Sequence, residues 1–158
     1  MDTKAPAVPA SVSDPAARFD LSYAFANNYA ALKKYDDPLK EMCEVARAVA
    51  PGIAVRCALV HPAEIEALAQ MLADTPVRPE VLIDFADGLG GAEVKAAQAK
   101  IAKNAGAAGA DVVINLHALQ KRDRDTLLSE FAAVRAHLPE IKVISQIPYV
   151  WQYDREAL

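Results

Sequence analysis

Asp111 and Lys142 are the two residues whose types and positions suggest a site for chemistry. Asp111 opens an apolar run that continues to Leu116, and alternate side chains of a strand point to the same face. Asp111, Val113 and Asn115 are therefore predicted to face the interior side of the sheet. Lys142 lies on the next predicted strand, where an ammonium beside a buried carboxylate would keep both groups charged. Inward carboxylates with a perturbed pKa are typical of functional sites, so both residues are candidate catalytic residues.

Each of the two residues also has a purely structural interpretation. Asp111 follows Gly109-Ala110 and could simply solvate the entry of its strand. Lys142 lies near the start of its strand, from which a long side chain can reach bulk water. We favour the functional interpretation for Asp111, and for Lys142 both interpretations stay open.

The elements that would position these residues alternate along the chain. Short apolar runs alternate with longer stretches of helical spacing, a pattern typical of a parallel sheet with crossover helices, and this predicts the α/β class. Strands are predicted at 53–60, 81–85, 111–116 and 141–147, with one more short strand at 19–23. Helices are predicted after Asp37-Pro38, from Pro62, after the turn Gly88-Leu-Gly-Gly91, and after a cap at Asp123.

The apolar spacing of these helices predicts which side of each one is buried. Residues 153–158 resemble the first turn of a further helix. The domain is predicted to span 19–158 after an Ala-, Pro- and Ser-rich tail at 1–18. The predicted buried faces are Leu39, Met42, Cys43, Ala46 and Val49; Ile65, Leu68, Ala69 and Leu72; Val94, Ala97, Ile101 and Ala105; and Leu127, Phe131, Val134 and Leu138.

Composition excludes several classes of function. The chain has 158 residues and a net charge of −4, with acidic and basic residues intermixed, so we expect no nucleic-acid partner. No apolar run approaches the ~18 residues of a membrane span, and residues 1–18 have no signal-peptide pattern. We therefore expect a cytoplasmic protein that does not enter the membrane. Cys43 and Cys57 are in no metal-binding or redox spacing, and both are expected to be reduced and buried.

For several weaker motifs we favour a structural interpretation over a functional one. Gly88-Leu-Gly-Gly91 resembles part of a dinucleotide fingerprint, but Glu93 occupies the third glycine position, so a tight turn is the better interpretation. No cofactor and no metal are expected, since His61, His117 and His137 are not at ligand spacing. Asp84 is taken as a solvated loop carboxylate. The aromatic residues Tyr149, Trp151 and Tyr153 could form an exposed partner-binding patch, or could pack on a further part of the protein.

Several motifs together resemble one enzyme family, the deoxyribose-phosphate aldolases. Val94-Lys-x-Ala-x-Ala-Lys100, Gly106, Asp111-Val-Val-Ile-Asn115 and Ala118-Leu119 follow one another with the family's spacing. Upstream, Leu59-Val-His-Pro62 and Phe85-Ala-Asp-Gly88 resemble two of its strand-end turns, and downstream Ile141-Lys-Val-Ile144 resembles its fifth strand. The resemblance covers about 37–149 and corresponds to the N-terminal half of the family.

The resemblance implies a class I aldolase built on a (β/α)8, or TIM, barrel that cleaves 2-deoxy-D-ribose 5-phosphate reversibly to acetaldehyde and glyceraldehyde 3-phosphate through a Schiff base. Asp111 would be the family's proton-transferring aspartate, and Lys142 matches a family lysine. If the protein is active, its ligand would be a small phosphorylated sugar or aldehyde. Four or five strands cannot close an eight-stranded barrel, so we expect an incomplete one. Its open sheet would be covered in a homo-oligomer or by a second chain.

Departures from the family pattern limit this expectation. Leu59 replaces a family cysteine, Gln146 replaces a glutamate, and Gly106-Ala-Ala-Gly-Ala-Asp111 is a reduced form of the family's acidic run. The family's Schiff-base lysine belongs to the sixth strand, which the resemblance does not reach, so we expect this chain alone to be inactive. Two alternatives remain open: a catalytically silent half-barrel that acts as a binding or assembly module, and a piece of a longer aldolase.

Overall fold

The computed structural model describes residues 19–22, 37–48 and 55–157, which form one parallel sheet with helices between its strands. The predicted tail at 1–18 lies outside these residues. The strands are β1 (Phe19–Ser22), β2 (Val55–Val60), β3 (Arg78–Ile83), β4 (Gly109–Val113) and β5 (Ile141–Ile144), and their order in the sheet is their order in the chain. The helices are α1 (Pro38–Ala48), α2 (Ile65–Met71), α3 (Gly91–Asn104), α4 (Leu116–Gln120), α5 (Arg124–Arg135) and α6 (Ile147–Tyr153), followed by a 3₁₀ turn at Arg155–Ala157.

The predicted α/β class is confirmed, because the five parallel strands curl into half of a barrel. Three strands differ from the prediction, and β3 and β4 also end earlier than predicted, at Ile83 and Val113 rather than at 85 and 116. β3 begins at Arg78 and β4 at Gly109, earlier than the apolar runs suggested, because charged and small residues continue the pairing. β5 ends at Ile144 rather than 147, since Gln146 adopts a left-handed conformation (φ 53°) and α6 follows. The helices α4 and α6 were not predicted.

The main core lies between the sheet and its helices. Strand residues with outward side chains, such as Val81, Ile83 and Val112, are fully buried against the helices. The opposite side chains of the same strands form a smaller inner cluster of Cys57, Leu59 and Leu82. The two-residue alternation of each strand thus supplies one layer to the core and one to the concave face. In the described part of the chain, no helix is both long and apolar enough to cross a membrane.

The predicted buried face of α3 is wrong. Val94 and Ile101 are 44% and 60% exposed, whereas Lys95, Ala99 and Ala102 are fully buried. Two alanines let α3 approach the sheet closely, and the buried ammonium of Lys95 finds carboxylate partners described below. An apolar stripe cannot predict this orientation, because the side chain that decides it is a charged one.

The N-cap of α5 gives a measurable prediction. The Asp123 carboxylate accepts hydrogen bonds from the backbone N–H of Thr126 at 3.1 Å and from its hydroxyl at 2.7 Å. Asp123→Ala leaves that helix end without its cap and is expected to lower the free energy of unfolding by about 1 kcal/mol. Urea denaturation measures the change, with Asp123→Asn as a control that retains an acceptor. A loss as large in Asp123→Asn as in Asp123→Ala would contradict the capping explanation.

Candidate active site

Asp111 and Lys142 lie side by side on the concave face of the sheet. They are register partners on the neighbouring strands β4 and β5, and the Lys142 Nζ is 2.8 Å from the Asp111 Oδ1. The side chain of Asp111 is 14% exposed and that of Lys142 is 28% exposed. The sequence placed both residues on this face, and the structure brings their charged groups together.

Two further carboxylates, which the sequence analysis missed, share the same ammonium. The Lys142 Nζ is 2.6 Å from the Asp20 Oδ2 and 3.2 Å from the Glu80 Oε2. Asp20 belongs to β1, at the opposite edge of the sheet from β5, so the sheet curls enough for its two outer strands to meet through their side chains. Single-strand alternation cannot reveal this contact, because it depends on the curvature of the whole sheet.

Arginines close the amino-terminal side of this cluster. Arg56 on β2 donates to the Glu80 Oε1 at 3.1 Å and to Glu140 at 3.3 Å. Arg78 on β3 lies 2.6 Å from Glu140 and 3.6 Å from the Glu80 Oε1. Each carboxylate therefore faces at least one cation, which offsets the cost of removing the charges from water.

The pKa values of this cluster follow from burial and from the shared ammonium. Burial raises the pKa of Asp111 above its ordinary value, and the nearby charges of Glu80 and Asp20 act in the same direction, against the opposing effect of Lys142. Burial alone would lower the pKa of Lys142, but the contacts with Asp111 and Asp20 raise it above the ordinary value. The site thus combines an ammonium that stays charged with a carboxyl group that accepts a proton more readily than an exposed aspartate does.

Cys57 contacts Asp20 and Lys142, and its surroundings disfavour the thiolate form. Its thiol is fully buried and donates to the Asp20 Oδ1 at 2.9 Å. Burial, followed by the hydrogen bond to Asp20, raises the pKa of Cys57 far above its ordinary value. Cys43 is likewise a buried free thiol, as the sequence predicted. Neither cysteine provides the thiolate that nucleophilic chemistry needs.

A second buried cluster organises the loops at the carboxyl ends of β3 and β4. The Lys95 Nζ donates to the Gly88 carbonyl at 2.8 Å, pairs with the Glu130 carboxylate of α5, and lies 3.3 Å from the Asp84 Oδ2. The interpretation of Asp84 as a solvated loop carboxylate is wrong. Its side chain is only 14% exposed, and its backbone is left-handed (φ 57°). Its carboxylate also accepts from the Gly90 N–H at 2.8 Å.

Asn115 belongs to this second cluster rather than to the concave face. Its Nδ2 donates to the Glu130 Oε1 at 2.8 Å, and its Oδ1 accepts from the Ala118 N–H at 3.0 Å and so caps α4. The prediction that Asn115 points to the same side as Asp111 is wrong, because β4 ends at Val113 and strand alternation no longer applies.

His61, His117 and the aromatic residues near position 150 have contacts of their own. His61 contacts the Phe85 ring edge-on, with 5.6 Å between centroids. His117 lines a groove of about 320 Å³ between α4 and α6, together with Tyr149 and Tyr153. Tyr149, Trp151 and Tyr153 are 52–79% exposed, and Arg155 stacks over the Trp151 ring. Among the described residues, no group of three or more His, Cys, Asp or Glu side chains is arranged to hold a metal ion.

The fold and the inward ion pairs define a class: a barrel-type α/β protein with a polar interior site. Within that class, the chain resembles the deoxyribose-phosphate aldolases, as the sequence motifs indicated. Deoxyribose-phosphate aldolase 1 of Cutibacterium acnes is 34% identical over 111 residues, which are 69% of this chain and 49% of that protein. No family model matches the chain.

Solved structures show the same fold. The aldolase QR15 superposes with a TM-score of 0.65 at 21% identity, over 86% of this chain and 57% of the aldolase. The tetrameric deoxyribose-phosphate aldolase of Aeropyrum pernix superposes with a TM-score of 0.50 at 22% identity, over 85% of this chain and 53% of the enzyme. This chain spans about half the length of the curated relatives it matches.

Proposed function

We propose that this chain carries the proton-transfer half of a deoxyribose-phosphate aldolase-like lyase. The reaction would be the reversible aldol cleavage of 2-deoxy-D-ribose 5-phosphate to acetaldehyde and glyceraldehyde 3-phosphate. The observation that carries the proposal is the 2.8 Å contact between Asp111 and Lys142 on the inner face of the half-barrel. Two curated relatives that bear the aldolase name support it.

The two residues would have different roles in such a reaction. A Schiff-base aldolase moves protons as the imine becomes an enamine, and a carboxyl group with a raised pKa accepts a proton more readily than an ordinary aspartate and can return it. Lys142 would hold and orient that carboxyl group. Because three carboxylates keep Lys142 in its charged form, it is a poor nucleophile, and a different lysine would form the imine.

A second candidate function is an assembly module without catalysis. Within the described residues, the outer edges of β1 and β5 pair with no strand, and Phe19 and Val143 on these strands are 57% and 44% exposed. Unpaired strand edges with apolar side chains are natural surfaces for association. The partner would be a second copy of this chain or another polypeptide that covers the open side of the sheet.

Trapping with borohydride tests the first function against the second. The folded protein is incubated with acetaldehyde and sodium borohydride, and its intact mass is measured beside a sample denatured beforehand. The family's sixth-strand lysine lies outside the resemblance, so a lyase formed by this chain would have to use another of its lysines, contrary to the inactivity expected from the motifs. The lyase proposal therefore predicts one stoichiometric adduct, absent from the denatured sample, on a lysine other than Lys142. In Asp111→Asn the adduct is expected to form at least about 100-fold more slowly, which is the usual contribution of a positioned acid or base.

The control variant is Asp125→Asn, which removes an exposed carboxylate from α5 and is expected to label like the parent. Peptide mapping then identifies the modified lysine. Labelling that is scattered and as slow as in the denatured sample would reject the lyase, and light scattering of the same preparation would then test the assembly module through its oligomeric state.

A further inference from the structure

Glu80 is a buried carboxylate that neither the sequence motifs nor the proposed proton transfer uses. It lies on β3 with 1% of its surface exposed. Its Oε1 faces the guanidinium of Arg56 at 3.1 Å, and its Oε2 faces the ammonium of Lys142 at 3.2 Å. Burial of a carboxylate costs several kcal/mol unless its partners offset it. Both carboxylate oxygens of Glu80 thus have a cationic partner, and one of these partners, Lys142, also contacts Asp111.

Gly109 makes room for this carboxylate. It is the register partner of Glu80 on the next strand, β4. A Cβ at position 109 would lie 3.1 Å from the Glu80 Oε1 and 3.2 Å from its Cδ, closer than most side-chain contacts. The carboxylate of Glu80 therefore fills the space that a side chain on β4 would occupy, and this directs its second oxygen toward Lys142.

We propose that Glu80 is a positioning residue of the candidate active site, which holds the Lys142 ammonium between β3 and β4 and shares it with Asp111. The inference rests on the proposed function and extends it, because Glu80 acts on Asp111 through Lys142 and touches no reacting atom. With Asp20 as the third carboxylate, one ammonium serves three negative charges, so Asp111 receives only part of its stabilising effect.

The charged and titratable groups around Lys142 and Asp111 come from all five strands. They are Asp20 on β1, Arg56 and Cys57 on β2, Glu80 on β3, Asp111 on β4 and Lys142 on β5. Removal of the Glu80 charge leaves Asp20 and Asp111 to share Lys142. The charged form of Asp111 then loses a repulsive neighbour and gains a larger share of the ammonium, so it becomes more stable.

The experiment is an NMR titration of the Asp111 carboxyl carbon in the parent and in Glu80→Gln, at fixed ionic strength. The Glu80→Gln midpoint is expected to fall by about one pH unit, the usual scale for the loss of a nearby like charge. Glu140→Gln is the matched control. Glu140 pairs with Arg56 and Arg78, as Glu80 does, but does not contact Lys142. The Asp111 midpoint in Glu140→Gln is therefore expected to match that of the parent. An unchanged or raised midpoint in Glu80→Gln would overturn the proposal.

Two features keep this test decisive. If Glu80→Gln does not fold, Glu80→Asp replaces it, because the shorter side chain keeps the charge but moves it away from Lys142. The Asp111 midpoint is then expected to fall by a smaller amount. An unchanged midpoint would reject Glu80 as a positioning residue. The titration needs no turnover, so it is independent of borohydride trapping. A fall of the midpoint in a protein that traps no aldehyde would preserve the coupling between Glu80 and Asp111 and reject the lyase. Successful trapping without a fall of the midpoint would support the lyase and reject the role of Glu80.

Discussion

Lys95→Met is expected to destabilise the protein by about 3–5 kcal/mol, the usual cost of removing one partner from a buried ion pair. Lys95 is fully buried, and its ammonium is the partner of the Glu130 carboxylate, which is itself 2% exposed. Methionine fills a similar volume but leaves that carboxylate buried beside an apolar side chain. It also removes the hydrogen bond that Lys95 donates to the Gly88 carbonyl. Chemical denaturation monitored by circular dichroism measures the loss.

Two control variants separate charge from helix propensity. Lys100→Met makes the same exchange at an exposed position of α3 and is expected to change stability by less than about 0.5 kcal/mol. The double variant Lys95→Met/Glu130→Leu removes both charges and is expected to regain much of the loss, because an apolar pair can replace a buried ion pair at little cost. A loss below about 1 kcal/mol in Lys95→Met would mean that water reaches Glu130 and that the cluster is not closed.

Gly88→Ala is expected to cost about 2–4 kcal/mol, as the sum of a conformational and a steric effect. Gly88 has φ +71°, a left-handed backbone conformation that disfavours any side chain with a Cβ. A Cβ at this position would also overlap the carbonyl oxygen of Ile114 and lie 2.9 Å from its carbonyl carbon. Because both atoms are backbone, the loop after β3 would have to move away from the end of β4.

Gly91→Ala is the matched control for this prediction. Gly91 has nearly the same φ, +74°, but a Cβ there would have no atom within 4 Å. Its substitution therefore isolates the conformational cost, which is expected to be about 1 kcal/mol. Thermal unfolding of the two variants in parallel measures the difference. Equal losses would show that the close approach of Gly88 to Ile114 contributes nothing to stability.

The sequence predicted those features that depend on one strand or one helix at a time. Strand alternation placed Asp111 on the inner face, and Asp123 was identified as a helix cap because both signals are local. The pairing of Asp111 with Lys142 could also be anticipated, since consecutive strands of a parallel sheet with short crossovers are usually neighbours. The motifs of the aldolase family further indicated the barrel geometry.

Features that depend on several elements could not be predicted in the same way. The contact of Asp20 with Lys142 requires the curvature of all five strands. Glu80 lies in the first half of β3, which reads Arg-Pro-Glu, so a search for apolar runs does not include it in the strand. The burial of Lys95 gives α3 an orientation different from the predicted one. The sequence could not show this, because the partner of Lys95, Glu130, is 35 residues away on another helix. Glu80 and Lys95 are buried charges, and burial of a charge is decided by partners that are distant in sequence.

The contact between Asp20 and Lys142 has a consequence for the order of folding. These residues are 122 positions apart in sequence, so their contact closes a far longer loop than the pairing of adjacent strands does. Loop-closure entropy therefore places this contact late on the folding pathway. Asp20 and Glu80 face Arg56 on β2, so they have a cation as soon as the first three strands pair. Asp111 gains its cationic partner, Lys142, only when β5 joins the sheet, so the last of these five strands to be synthesised is the one that completes the site.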